Sequence, residues 1–241
     1  MAIEISEAPS TARSLAQADW KRLAAAIDHT LLKADATNAQ VEQLCAEAVE
    51  NALACVMVNP THVALAAYVL TGTAVTTGTV VGFPLGASTA ASKRYEALDG
   101  IRQGAREIDM VMNIGALKSG DRTRVEAEMR GLVEVVHANG ALLKITIETA
   151  LLSLEEKILA CQLALAVGAD FVKSSTGFSH AGALPADISL MRGVVGNKLG
   201  VKASGGIRTL EDAQAMIDAG ANRIGTSSGI AIVEAARKLS L

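Results

Sequence analysis

The chain has 241 residues, enough for one barrel or two small domains, and a chain of this length can bury a core without disulfides or metal staples. Half of its residues are hydrophobic but only 2% are aromatic, so its core must consist mainly of Ala, Val, Leu and Ile, as in strands that are buried on both faces. The formal charge of −3 shows no broad basic surface, which excludes nucleic acid as an expected partner.

Residues 51–92 contain no Asp, Glu, Lys or Arg, which raises the question of a membrane span. Proline, glycine and threonine residues interrupt this stretch, however, and no apolar run of the required length remains. The three cysteines, Cys45, Cys55 and Cys161, are odd in number and widely spaced, as expected for buried thiols in a reducing compartment. The first residues lack the apolar segment of a secretory signal. We therefore expect a cytoplasmic protein with no membrane contact.

Short apolar runs alternate with amphipathic stretches along the chain. Strands are predicted over Ile27–Leu31, Ala54–Val58, Thr77–Gly82, Glu107–Asn113, Leu142–Glu148, Asp170–Ser175, Gly200–Ser204 and Arg223–Thr226. Helices are predicted between them, for example over Asn38–Glu50, Thr89–Gln103, Arg122–Ala138, Leu154–Val167 and Leu210–Ala219, and a further helix, roughly Ser10–Ala26, precedes the first strand.

Strands that alternate with single helices imply βα units and a parallel sheet. Eight such units predict a closed (β/α)₈ TIM barrel as one domain over residues 1–241, with residues 1–26 as an N-terminal extension and helix. The alternative is an open doubly wound sheet, which usually carries Gly-x-Gly-x-x-Gly after its first strand. Here the first strand leads into Leu31-Leu32-Lys33 without a glycine, which favours the barrel.

Four consecutive predicted strands, the fourth to the seventh, each carry an ionisable residue in an apolar run: Asp109, Lys144, Lys173 and Lys202. An isolated charge inside a barrel is very costly. One such residue could belong to a structural ion pair. Three positive charges and one negative charge do not cancel, however, so the set as a whole indicates a functional site.

Two lysines on neighbouring strands suggest amine chemistry. A nucleophilic amine must be neutral, whereas an ordinary lysine is protonated at pH 7. Neighbouring strands lie about 4.8 Å apart, so the charge of Lys202, together with partial desolvation, would favour the neutral form of Lys173. Asp109 could then move protons at the bond being cleaved. This combination is typical of carbonyl chemistry through an imine.

Two Gly- and Ser-rich turns predict a phosphate site. Gly205 and Gly206 follow the seventh strand, and Ser227 and Ser228 follow the eighth. In TIM barrels, phosphate commonly binds at the loops after these two strands and at a helix N-terminus, where backbone N–H groups can reach its oxygens. Gly177, shortly after Lys173, could supply a further N–H group.

The remaining polar strand residues suggest supporting roles. The four histidines show no metal-ligand spacing, so no metal site is predicted. His29 is expected to be a hydrogen-bonded structural residue. Asp28 and Glu148 also lie on predicted strands, and we expect them to partner the lysines in the pocket wall.

At these residues the chain resembles the deoxyribose-phosphate aldolases, over nearly its whole length after about residue 25. The matching segments are Ile27–Leu32, Val80–Gly86, Glu107–Asp109, Leu143–Thr149, Asp170–Lys173, Ser175–Phe178, Val201–Arg208 and Gly225–Ser228. Two positions depart from the family pattern: Phe178 stands where some members carry lysine, and Met57 where many carry cysteine.

The resemblance implies an aldehyde-lyase of carbohydrate and deoxyribonucleotide catabolism. It would cleave 2-deoxy-D-ribose 5-phosphate reversibly to acetaldehyde and D-glyceraldehyde 3-phosphate, without a metal or organic cofactor, and it would form a homodimer. Lys173 would be the Schiff-base lysine, Lys202 the neighbour that lowers its pKa, and Asp109 the proton shuttle. Lys144 and Thr30 would join the phosphate-turn residues in binding the substrate.

Two other functions remain open at the level of sequence. Another phosphosugar barrel, an isomerase or epimerase, would keep the phosphate turns but use a Glu, Asp or Cys base without paired lysines. A barrel that only binds phosphorylated ligands would use the lysines as anion ligands. Covalent trapping of an imine distinguishes all three.

Overall fold

The computed structural model describes residues 20–239, which form a closed barrel of eight parallel strands, as predicted. Each strand pairs with the next in chain order, and the eighth closes the barrel by pairing with the first. The strands are β1 (Ile27–Leu31), β2 (Cys55–Val58), β3 (Thr76–Val81), β4 (Glu107–Val111), β5 (Leu142–Thr146), β6 (Phe171–Lys173), β7 (Gly200–Ser204) and β8 (Arg223–Thr226).

Helices cover the outside of this barrel. They are α1 (Trp20–Ala24), α2 (Asn38–Glu50), α3 (Val63–Val69), α4 (Ala90–Arg102), α5 (Ile114–Lys118), α6 (Arg122–Ala138), α7 (Leu154–Val167), α8 (Pro185–Val195), α9 (Leu210–Asp218) and α10 (Gly229–Leu239), with 3₁₀ turns at Pro60–His62 and Thr149–Leu151. Thr37, Ser153 and Thr209 each accept a hydrogen bond from the N3 backbone N–H in a capping box, which explains why α2, α7 and α9 begin where the sequence predicted.

The predicted N-terminal helix, Ser10–Ala26, falls partly within the described residues. Its last part is α1, which packs against α10 with the Arg237 guanidinium 4.2 Å from the centre of the Trp20 ring. Residues 10–19 of that prediction lie outside the described residues.

Four strands end earlier than predicted, β3 by one residue and β4, β5 and β6 by two residues each. β5 stops at Thr146 because Glu148 has φ 57° and ψ 68°, a left-handed conformation that cannot continue a strand. β6 stops at Lys173, so this lysine is the last strand residue and not a mid-strand one. That position brings its side chain to the mouth of the barrel.

The apolar core lies between the strands and the helices, while the barrel interior contains buried charged residues from β1 and from β4 to β8. Val56, Ile108 and Val172 are fully buried in the outer core, on the helix side of their strands. The three cysteines are buried and free, as expected. Within residues 20–239, no helix combines the length and the apolarity needed to cross a bilayer.

Candidate active site

A cavity of about 390 Å³ opens at the carboxyl ends of the strands, where TIM barrels carry their active sites. Lys173 lies at its inner end, and the turns after β6, β7 and β8 form one wall. The lining residues are Thr30, Leu31, Leu32, Lys33, Met57, Lys173, Thr176, Gly177, Phe178, Ser204, Gly205, Gly206, Ile207, Arg208, Gly225, Thr226 and Ser227.

Lys173 and Lys202 share one carboxylate oxygen. Asp109 Oδ2 lies 2.7 Å from Nζ of Lys173 and 2.7 Å from Nζ of Lys202. The two lysines pair directly across the β6–β7 ladder, which explains why their side chains run into the barrel side by side. Lys173 lines the cavity, whereas Lys202 stands beside it with 1% of its surface exposed. The three predicted catalytic residues are therefore brought together.

A second layer of charges lies beneath this group. Asp28 Oδ2 is 2.5 Å from Lys202 Nζ and 3.1 Å from Lys144 Nζ, and Asp28 Oδ1 is 2.6 Å from Arg223. The Glu107 carboxylate contacts both Lys144 and Arg223. Asp28 is thus a partner of the lysines, as the sequence suggested. Glu107 and Arg223 also belong to this layer, although the sequence suggested no role for them.

The charge balance of the barrel interior differs from the prediction. Four cations and three carboxylates form one connected cluster, rather than three cations and one carboxylate. The members are Asp28, Glu107, Asp109, Lys144, Lys173, Lys202 and Arg223. Glu107 and Arg223 are the first residues of β4 and β8, and strand-end charges usually face solvent, so the sequence carried little signal for them.

Burial and neighbouring charges act differently on the residues of the cluster. Burial disfavours the ammonium of Lys173 and, with the positive charges of Lys202 and Lys144, lowers its pKa to about 8, although the Asp109 carboxylate opposes this shift. Burial alone would raise the pKa of Asp109, but the three lysines around it hold that pKa well below its usual value. Lys173 therefore loses its proton more readily than an ordinary lysine, whereas Asp109 stays ionised.

Lys144 occupies a different position from the one expected of a substrate-binding residue. It is fully buried in the lower layer, does not line the cavity, and has Asp109 Oδ1 3.2 Å from its Nζ. Burial would lower its pKa, yet the carboxylates of Asp109, Asp28 and Glu107 hold that pKa well above the ordinary lysine value. Its geometry suits holding Asp109 in place from below.

The phosphate-turn residues lie mostly where the sequence placed them. Gly177, Gly205, Gly206 and Ser227 line the cavity, as does Thr30 on the neighbouring strand β1. Ser228 does not line the cavity, and its backbone N–H donates to Thr226 Oγ1 at 2.9 Å. Two further cationic residues join Lys173 in the lining, Lys33 and Arg208, and the sequence had suggested no role for them.

Two further expectations concerned His29 and Glu148. His29 Nε2 is hydrogen-bonded to Glu47 Oε2 at 2.9 Å between β1 and α2, as expected of a structural histidine. The expectation that Glu148 partners a lysine is wrong: its Oε2 accepts hydrogen bonds from the backbone N–H and the hydroxyl of Thr176.

One cluster has the donor types of a metal site. An oxygen of Asp28, an oxygen of Glu107 and the Cys55 Sγ lie within 4.8 Å of one another. Both carboxylates already form ion pairs with Lys144 and Arg223. Burial and the two carboxylates raise the pKa of the Cys55 thiol well above its usual value, so it does not offer a thiolate. These residues do not fit a metal ion.

Comparison with known proteins agrees with this geometry. Residues 22–235 match the family model described as DeoC/LacD family aldolase. The chain belongs to this family. It is 57% identical over 212 residues to a deoxyribose-phosphate aldolase of Geobacillus sp. (strain WCH70), which covers 88% of this chain and 95% of the relative. A deoxyribose-phosphate aldolase of Exiguobacterium sibiricum is 58% identical over the same shares of both chains.

Solved structures of the family share the fold. A putative deoxyribose-phosphate aldolase from Coccidioides immitis superposes with a TM-score of 0.87 at 41% identity, covering 91% of this chain and 87% of that one. A deoxyribose phosphate aldolase from Aeropyrum pernix, described as having a unique tetrameric structure, gives a TM-score of 0.86 at 32% identity, covering 92% and 93%. This aldolase therefore shares both its sequence family and its barrel with them.

Proposed function

We propose that this aldolase cleaves 2-deoxy-D-ribose 5-phosphate reversibly to acetaldehyde and D-glyceraldehyde 3-phosphate through an imine on Lys173. The observation that carries the proposal is the group at the inner end of the cavity: an amine with a pKa of about 8, beside a carboxylate that it shares with a second ammonium. An isomerase or epimerase needs no such amine.

In the proposed reaction, the neutral Lys173 amine attacks the C1 aldehyde carbon, one proton is taken up from solvent and water leaves, giving a protonated imine. Asp109, directly or through a water, accepts the proton of the C3 hydroxyl. The C2–C3 bond then breaks, its electron pair moves toward the imine to form an enamine, and D-glyceraldehyde 3-phosphate departs. Protonation of the enamine at C2 and hydrolysis release acetaldehyde and restore the amine.

The other residues have supporting roles in this proposal. Lys202 favours the neutral form of Lys173, and Lys144 holds Asp109 from below through its contact with Oδ1. The phosphate would lie at Gly177, Gly205, Gly206 and Ser227, which line the cavity together with Thr30. The charge of Lys33 or Arg208 at the cavity would add to the attraction for this anion.

Borohydride reduction in the presence of acetaldehyde tests the proposal. We expect an added ethyl group on the peptide that contains Lys173, and none in Lys173→Met. Lys198→Met, which removes an exposed lysine outside the cavity, is the control and should be labelled like the wild type. Label on Lys202 or Lys144, or no label at all, would overturn the assignment of the nucleophile.

We also propose that the protein is cytoplasmic and forms a homodimer. The three buried free thiols support a reducing, cytoplasmic setting. A homodimer is expected from the resemblance, and size-exclusion chromatography with light scattering distinguishes it from a monomer or a tetramer.

A further inference from the structure

Glu148 combines two unfavourable features at the end of β5. Its backbone has φ 57°, and the other non-glycine residue with positive φ in the described part of the chain is Ala52. Such a conformation costs free energy in a residue with a Cβ and persists only where its surroundings hold it. Its side chain is also 2% exposed, which is costly for a carboxyl group.

The side-chain hydrogen bonds of Glu148 both go to one residue of the β6–α8 loop. Glu148 Oε2 accepts from the Thr176 backbone N–H at 3.1 Å and from the Thr176 hydroxyl at 2.5 Å. Glu148 Oε1 has no hydrogen-bond partner within residues 20–239. Within the described residues, the carboxylate therefore forms its hydrogen bonds with Thr176, and Thr176 itself lines the cavity.

Thr176 in turn holds the backbone of the next residues of the loop. Its Oγ1 accepts from the Phe178 backbone N–H at 3.1 Å, which fixes the intervening Gly177. Gly177 has φ 84° and packs against Gly205, where an added Cβ would lie 3.2 Å from the Gly177 Cα. Gly205 has φ 91°, so neither position accepts a side chain readily. Moving Thr176 would therefore disturb both turns.

We infer that Glu148 is a positioning residue for the phosphate turns. Acting through Thr176, it holds the backbone N–H groups near Gly177 and Gly205 at the spacing that a phosphate monoester requires. It does not line the cavity itself. The inference rests on the proposed function in that it assigns the substrate's phosphate to these turns.

Glu148→Gly is the informative variant, because glycine relieves the backbone conformation while removing the carboxylate. We expect KM for deoxyribose 5-phosphate to rise about tenfold, equivalent to roughly 1.4 kcal/mol of binding. The kcat/KM for unphosphorylated deoxyribose should stay within about twofold. Glu148→Gln should keep most of the phosphate preference, because an amide oxygen can still accept from Thr176.

Ala52→Gly is the matched control, since it relieves the other positive-φ residue outside the cavity lining and should leave the preference for phosphate unchanged. Should Glu148→Gly fail to fold, Thr176→Val removes the hydroxyl partner and should lower the preference in the same direction. Equal losses on both substrates, or an unchanged preference in Glu148→Gly, would overturn the inference.

Titration calorimetry with inorganic phosphate separates this inference from the proposed function. We expect Glu148→Gly to bind inorganic phosphate about tenfold more weakly than the wild type does. If the wild type binds phosphate but does not cleave deoxyribose 5-phosphate, the proposed function fails while the role of Glu148 can still be measured. If both proteins bind phosphate equally, the role of Glu148 is refuted whatever the reaction.

Discussion

Replacing Lys202 by methionine tests whether charge repulsion helps to activate Lys173. Both nitrogens lie 2.7 Å from Asp109 Oδ2, so they can be no farther apart than twice that distance. At a separation of about 5 Å and an effective dielectric near 20, two ammoniums repel by roughly 3 kcal/mol, or about two pKa units. Removing Lys202 removes a contribution that lowers the pKa of Lys173, so that pKa should rise from about 8 toward roughly 10.

The higher pKa of Lys173 in Lys202→Met should slow imine formation most near neutral pH. For a group with a pKa near 8, about a tenth is neutral at pH 7, whereas for a pKa near 10 only about a thousandth is. We therefore expect imine formation at pH 7 to slow by about two orders of magnitude and to recover under alkaline conditions. Lys202→Arg keeps the positive charge in a different shape and should retain more of the lowered pKa than Lys202→Met does.

The assay is the rate of borohydride-trapped imine formation with acetaldehyde as a function of pH, for the wild type and both variants. Circular dichroism at each pH checks that the proteins remain folded. A Lys202→Met profile with the wild-type midpoint and only a lower plateau would refute the electrostatic reasoning. Lys202 would then act by positioning Asp109.

Two further predictions concern the cavity, and a third concerns a buried ion pair outside it, between Lys93 on α4 and Glu128 on α6. Asp109→Asn should still trap acetaldehyde but cleave the substrate at least about a hundredfold more slowly, because the loss concerns proton transfer; a folded variant that forms no imine would contradict this role. Gly206→Asp should weaken cleavage of deoxyribose 5-phosphate far more than that of deoxyribose, by steric exclusion and charge repulsion, and comparable losses would place the phosphate elsewhere. Glu128→Ala should lower the free energy of unfolding in urea by about 3–5 kcal/mol, since it leaves the fully buried Lys93 ammonium without its carboxylate at 2.7 Å; a loss below about 1 kcal/mol would mean that Lys93 loses its proton or finds solvent.

The sequence predicted the barrel well because its signals are local. Alternating apolar strands and amphipathic helices are visible within short windows, and α2, α6 and α7 have the predicted bounds. Lys173 and Lys202 could be recognised because charges in apolar strands are rare and costly. Each of these inferences required only near neighbours in the sequence.

The partners of those lysines could not be predicted in the same way, because they depend on the register between strands. Arg223 pairs across the ladder with Lys202 and reaches Asp28 on β1, 195 positions away in the chain. Lys144 was expected to bind substrate, but its depth in the barrel places it below the cavity. The left-handed backbone of Glu148 had no sequence signal either, since non-glycine residues rarely adopt it.

The barrel interior divides into a charged sector and an uncharged one. The ion-pair cluster draws its residues from β1 and from β4 to β8, whereas β2 and β3 contribute no ionisable partner to it. Leu32, Met57 and Val80 instead form, with Cys55, a small apolar cluster apart from the main core, and two of its members reach the cavity. The size and polarity of the cavity wall can therefore be changed at Leu32 and Met57 without removing any ion-pair partner of Lys173 or Lys202.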